Sequence, residues 1–234
     1  MFFYLKKDPK PEPLSNIFRV FFAGCFAVIP VAILELLLLK GADYIFGAME
    51  VPSIIPFSQI FVSVSFAAAI SFIIAPFIEE IIKFASVKKS ISRDKEFNEP
   101  VDAMIYMIVG ALGFAAIENF IYLLKIVFNL EIPFVFTRQE GVGGEFFYTL
   151  IFRALGATLL HALSSAFLGY LWALAIIKNK ISYLYKGVIS AGLLHLAFNG
   201  IIILMGVYFI FPLAFLLLLA INSVAKKFSK IKSF

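Results

Sequence analysis

Residues 17–39 read IFRVFFAGCFAVIPVAILELLLL. Apart from Arg19 near its start and Glu35 towards its end, the run is free of charge. At about 1.5 Å of helical rise per residue it is long enough to cross the hydrocarbon core of a bilayer. Lys6, Lys7 and Lys10 precede it, an order that imitates a secretory signal peptide. The run is too long for a signal h-region and lacks a clean small-x-small exit, so it reads as a retained first span.

Five further apolar runs follow, near 57–84, 101–128, 146–177, 184–206 and 208–225. Of the 234 residues 62% are hydrophobic and 15% charged, whereas a soluble domain is nearer half and a quarter. That difference excludes a soluble globular protein. No Pro/Ser-rich linker divides the chain, so residues 1–234 are expected to form a single integral membrane domain. The expected fold is all-α, a polytopic transmembrane helical bundle of about six spans.

Charge sets the orientation. Lys6, Lys7, Lys10 and Arg19 flank the first span; Lys88, Lys89, Arg93 and Lys95 follow the second; Lys178, Lys180 and Lys186 lie between the fourth and fifth; Lys226, Lys227, Lys230 and Lys232 close the chain. With six spans, these fifteen of the twenty basic residues fall on one side. The positive-inside rule then puts both termini in the cytoplasm, with the protein multi-pass in the cytoplasmic (inner) membrane. The fifth and sixth runs are divided only by Gly206 and Pro212, but five spans would export the lysine-rich tail. The net charge of +5 is thus a matter of topology and implies no nucleic-acid partner. Cys25 is the only cysteine, which excludes an intrachain disulfide and a cysteine-based metal site. The outer loop 129–145, with Gly141, Gly143 and Gly144, reads equally as a lid or a plain connection.

Function is sought among polar groups that do not belong in hydrocarbon, where a charged side chain costs about 2.5–3.5 kcal/mol on insertion scales. Glu79-Glu80-Ile-Ile-Lys83 places Glu79 and Lys83 on one helical face, with Glu80 about 100° away and under no need to share that partner. Neighbouring carboxylates at low dielectric resist joint ionisation, which suits one of them to proton transfer. Glu118-Asn119-Phe-Ile-Tyr122 brings Glu118 and Tyr122 onto a second face. Arg153 can pair with Glu118 or meet a substrate; Asp102 is expected to cap the start of the third span. The two histidines of the chain, His161 and His195, both lie within spans, followed one turn later by Ser165 and Asn199. Two imidazoles and a carboxylate are a familiar zinc set, and Glu118, His161 and His195 are the candidate ligands. Depth counting leaves open whether Glu118 shares a pocket with Glu79, since it rises about 25 Å from residue 101.

The ordered set Glu79-Glu80-x-x-Lys83, Glu118-Asn119-x-x-Tyr122, Arg153 with His161-x-x-x-Ser165-x-x-x-Gly169, and His195-x-x-x-Asn199 resembles the PrsW family, intramembrane proteases distantly similar to type II CAAX prenyl endopeptidases. The resemblance covers about residues 75–200. It implies hydrolysis of a peptide bond in a membrane-anchored, single-span substrate, with an anti-sigma factor as the family's example. It also implies Glu79 and Glu80 as the catalytic pair, Glu118, His161 and His195 as the rest of the polar cluster, and Asn199 beside His195. By similarity to the CAAX enzymes, one of the paired glutamates activates water while Asn199 and a histidine steady the oxyanion. Lys83, Asn119, Tyr122, Arg153 and Ser165 support the site. The chain departs from the pattern at Ile78, where a third acidic neighbour is absent. Zinc is the expected cofactor, with a metal-free glutamate mechanism on the same residues as the alternative, and oligomeric state is not legible. The competing readings are a proton- or ion-coupled transporter, disfavoured by the lack of an internal repeat, and a scaffold in which polar residues only pin helices together.

Overall fold

The computed structural model of the chain describes residues 11–47, 49–51, 64–128, 153–205 and 210–231. Among these residues the protein is a bundle of six helices: α1 (Leu14–Phe46), α2 (Phe66–Ile91), α3 (Asp102–Phe128), α4 (Thr158–Lys178, entered through a π-helical turn at Arg153–Ala157), α5 (Ser182–Met205) and α6 (Ile210–Ile231). One short ladder that the sequence pattern did not announce, β1 (Glu50–Val51) paired antiparallel with β2 (Val64–Ser65), joins α1 to α2. The second helix therefore begins at Phe66, later than the apolar run, and extends past it to Ile91. The outer loop 129–145 and the turn around Gly206 lie outside the described residues.

Five of the helices are long and apolar enough to cross a membrane. The sixth, α2, has the length, but Glu79, Glu80 and Lys83 break its apolar surface near its centre. Pro76 sits one turn earlier; it has no N–H to donate, which frees a carbonyl in the preceding turn. At the C-terminal end of α1 the chain turns at Gly47, whose φ of 56° suits glycine and whose N–H meets the Asp43 carbonyl at 2.8 Å.

The basic segments collect at one end of the bundle. Arg19 of α1 pairs with Asp94 in the turn after α2, and Asn16 Nδ2 donates to Asp94 at 3.3 Å. Tyr106 near the start of α3 donates to Glu12, and Phe97 stacks on Trp172 of α4 with ring centroids 5.0 Å apart. At the C-terminal end of α6, Lys227 lies over Phe167 and Tyr170 of α4. This is the distribution that the positive-inside rule assigns to the cytoplasm. Asp102 closes the start of α3 from its first turn: its Oδ2 accepts from the amides of Asn98 and Glu99, at 2.9 and 2.7 Å, and so ties down the preceding turn.

Helix α3 runs through the centre, with residues 101–111 buried. Its neighbours approach backbone to backbone, since a Cβ on Gly24 of α1 would lie 1.9 Å from the Gly110 carbonyl oxygen. A Cβ on Gly113 would lie 2.0 Å from the carbonyl of Phe21, and one on Gly169 of α4 2.6 Å from that of Ala103. Small residues are what lets membrane helices close in this way. Helix α5 differs, because its Gly187 and Gly192 meet side chains, those of Leu168 and Phe77.

Candidate active site

Four helices bring their polar groups to one place. Helix α2 supplies Glu79, Glu80 and Lys83; α3 supplies Glu118, Asn119 and Tyr122; Arg153 and α4 supply the guanidinium, His161, Ser164 and Ser165; α5 supplies His195. All three polar groups of α2 and both histidines are buried.

Lys83 is wholly buried and acts as the hub. Its Nζ donates to Glu80 Oε1 at 2.6 Å, contacts His161 Nδ1 at 3.0 Å and lies 3.6 Å from Glu79 Oε2. The helical-face expectation made Glu79 the partner of Lys83, yet Glu80, three residues away, is the closer one. Flexible four-carbon stems reach across the face boundary that backbone geometry draws. Glu80 also accepts from Ser164 Oγ at 2.9 Å and Ser165 Oγ at 3.2 Å, so both of its oxygens are engaged.

An ammonium has only donors, so His161 Nδ1 receives the Lys83 hydrogen. Nε2 then carries the ring proton and donates to Glu118 Oε2 at 2.8 Å. Glu118 therefore reaches the same pocket as Glu79, in spite of its counted depth. It does so by way of His161, whose Nδ1 lies 3.9 Å from Glu79 Oε2. Arg153 Nη2 meets Glu118 Oε2 at 2.9 Å, its Nε donates to Asn119 Oδ1 at 2.9 Å, and its guanidinium lies 3.4 Å from the Tyr122 ring centroid. Thr158 closes this outer network: it accepts from Asn119 Nδ2 at 2.9 Å and donates to the Arg153 carbonyl at 3.0 Å. Tyr122 thus faces a cation, and among the described residues no Glu118–Tyr122 hydrogen bond forms.

Among the described residues, the groups able to hold a metal ion are Glu79, His161 and His195, whose donor atoms all lie within 4.8 Å of one another. The two imidazoles meet edge to face at 4.9 Å. Glu79 takes the place in this trio that the sequence pattern gave to Glu118. Two atoms of the trio, Glu79 Oε2 and His195 Nδ1, are buried with no hydrogen-bond partner and stand 3.8 Å apart, which is beyond hydrogen-bonding range. Buried polar atoms left unsatisfied in this way fit a site shaped for an ion or a water. Asn199 is half-buried one turn beyond His195 and makes no hydrogen bond among the described residues.

Sequence reasoning missed Ser164 and Thr158. A hydroxyl in an apolar helix carries no signal of its own, because such residues commonly bond to their own backbone.

Carboxylates and imidazoles gathered inside a polytopic helical bundle fit the class of intramembrane hydrolases. Over residues 12–223 the sequence matches the family described as "PrsW family intramembrane metalloprotease", and the chain belongs to that family. It is similar to Protease PrsW of Geobacillus kaustophilus, 28% identical over 204 residues that make up 86% of this chain and 73% of that protein. Protease PrsW of Clostridioides difficile is 28% identical over 87% of this chain and 74% of its own length. For Protease PrsW of Bacillus subtilis the identity is 25%, over 93% and 84%. No solved structure matches the chain. The protein is accordingly a multi-pass membrane protease.

Proposed function

We propose that this chain acts as one integral domain of the cytoplasmic (inner) membrane and hydrolyses a peptide bond of a single-span membrane protein, an anti-sigma factor being the type of substrate expected. The observation that carries the proposal is the meeting of Glu79, His161 and His195, from three separate helices, with two of their atoms unsatisfied. A scaffold gains nothing from buried atoms without partners, each costing about 1–3 kcal/mol. The transporter reading has no such support, and the relatives are proteases.

Glu79, His161 and His195 would hold a zinc ion, His161 through Nδ1 once Lys83 gives up its contact there; when bound, the ion supplies a Lewis acid and lowers the pKa of a water molecule. The remaining work falls to the chain. Of the two adjacent glutamates, Glu80 is committed to Lys83, Ser164 and Ser165 and serves as a fixed anion. Glu79 keeps Oε2 available for a ligand or a proton. Glu118 fixes the tautomer and ring orientation of His161, as carboxylates behind histidine ligands do. Asn199, whose amide makes no hydrogen bond among the described residues, can face the developing oxyanion.

Exposure rises away from the basic end: Glu118 keeps 22% of its side-chain surface and Arg153 17%, against 2% for His161. On the other side Phe84, Phe97 and Trp172 pack together. The outer half of the bundle is therefore the more open side of the site.

The test is cleavage of a single-span reporter by purified protein in proteoliposomes, with zinc measured on the same preparation. Glu79→Gln, His161→Ala and His195→Ala should each abolish cleavage by the protein that remains folded, the folded fraction being measured on the same samples. Wild-type cleavage in all three variants would end the proposal.

A further inference from the structure

Between α4, α5 and α6 lies a groove of about 240 Å³, lined by Phe167, Ser190, Leu194, Leu216, Leu219 and Ser223, none of which belongs to the site above. Its character changes along its length. Leu194 of α5 and Leu216 and Leu219 of α6 make an apolar stretch. One turn closer to the basic end of the bundle stand the two hydroxyls, Ser190 on α5 and Ser223 on α6. One turn further, on the same helical faces, stand two lysines, Lys186 four residues before Ser190 and Lys227 four residues after Ser223.

Lys227 is held at the groove itself. Its Nζ donates to Ser223 Oγ at 2.9 Å and lies 4.4 Å from the ring of Phe167, a lining residue. Lys186 is exposed, with its Nζ 5.7 Å from the Tyr183 ring. Neither lysine has an acidic partner among the described residues. From residue 146 to residue 234 the sequence contains no aspartate or glutamate, while Lys178, Lys180, Lys186, Lys226, Lys227, Lys230 and Lys232 all fall there. Lys186 and Lys227 are therefore open to an anion supplied by another molecule.

The geometry points to a binding site for an anionic phospholipid of the cytoplasmic leaflet. Its phosphate would sit by Lys186 and Lys227 with the hydroxyls of Ser190 and Ser223, and one acyl chain would run along Leu194, Leu216 and Leu219. Basic pockets between membrane helices on the cytoplasmic side take phosphate headgroups in this manner. A small soluble anion would leave the apolar stretch unfilled. The neighbouring surface is lipid-facing, with Phe215, Leu218 and Ile189 exposed.

The full chain, purified in neutral detergent, is titrated with dioleoyl phosphatidylglycerol or dioleoyl phosphatidylcholine. Bound lipid is counted by native mass spectrometry, and thermal unfolding is followed in parallel. Phosphatidylglycerol should bind at least about tenfold more tightly than phosphatidylcholine, and Lys186→Gln/Lys227→Gln should remove about tenfold of that affinity. Lys178→Gln/Lys180→Gln, which alters charge at the same end but outside the groove, should retain it. Equal binding of the two lipids, or undiminished phosphatidylglycerol binding by the groove variant, overturns the assignment. So does equal thermal protection by glycerol phosphate alone, which would mark a soluble-anion site. If the double variant fails to fold, Lys186→Gln alone is read by the same ratio.

Discussion

His161 is held from both sides, by Lys83 Nζ at 3.0 Å on Nδ1 and by Glu118 Oε2 at 2.8 Å on Nε2. The pair His161–Glu118 links the inner cluster on α2 to the outer network around Arg153. Glu118→Gln should keep the shape and lose the charge that orients both the ring and the guanidinium. Loss of such an outer partner typically costs about 10–100-fold in metal affinity or activity. Zinc retention and cleavage rate should fall together by that factor; an unchanged zinc affinity would remove Glu118 from the orienting role.

Glu80 depends on two serines as well as on lysine. Ser164→Ala/Ser165→Ala takes away two hydrogen bonds to a buried carboxylate and should destabilise the protein by about 1–3 kcal/mol. Thermal unfolding in detergent measures this. A melting point equal to wild type would mean that Lys83 alone satisfies Glu80.

Lys83→Met removes the only cation within ion-pairing distance of Glu79 and Glu80 among the described residues. Breaking a buried pair by removing one partner costs about 3–5 kcal/mol. The variant should unfold at markedly lower temperature, and Lys83→Met/Glu80→Met should recover part of the loss. Absence of any recovery would show that the ion pair is not the source of the effect.

Glycine contacts on α1 and α3 can be separated by position. Gly113→Ala places a methyl group against the Phe21 carbonyl and should cost about 1–3 kcal/mol. Gly41→Ala meets nothing within 4 Å and, in a helix, should be neutral or stabilising by about 0.5–1 kcal/mol. Paired melting curves decide it; equal effects at the two sites would contradict the close approach of α1 and α3.

At the basic end, the Arg19 guanidinium beside Asp94 holds that carboxyl below its usual range. A depressed carboxyl contributes stability above its unfolded value, near pH 3.9, and loses it as pH falls through the lower folded value. Stability of the wild type relative to Arg19→Gln should therefore be flat from about pH 5 to 8 and begin to fall as pH drops below about 4. The pair is exposed, so the difference should also shrink in high salt. A gap that does not shrink at all as pH falls below about 4 would point to packing by Arg19 instead.

Much of this site was legible because bilayer interiors tolerate so few charges. Glu79, Glu80, Lys83, Glu118, Arg153, His161 and His195 stood out against hydrocarbon for that reason alone, and all seven join one network. Their pairing was not legible. Whether Lys83 favours Glu79 or Glu80 depends on side-chain reach, and whether Glu118 meets Glu79 depends on how far α3 is displaced along its axis relative to α2. Periodicity within one helix holds no information about that displacement. Ser164 and Thr158 were invisible for a related reason, since a hydroxyl becomes a ligand for Glu80 or Asn119 only when a neighbouring helix presents it.

Because α1, α3 and α4 touch through carbonyls and Cα atoms at Gly24, Gly110, Gly113 and Gly169, they form a stiff frame that cannot slide without breaking contact. Helix α5 rests on the side chains of Leu168 and Phe77, which can change rotamer. A transmembrane segment seeking entry would find α5 the yielding wall, and α5 is the helix that carries His195. Swinging it aside would take one imidazole away from Glu79, on α2, and from His161, which α4 of the frame keeps in place until the wall closes and returns His195.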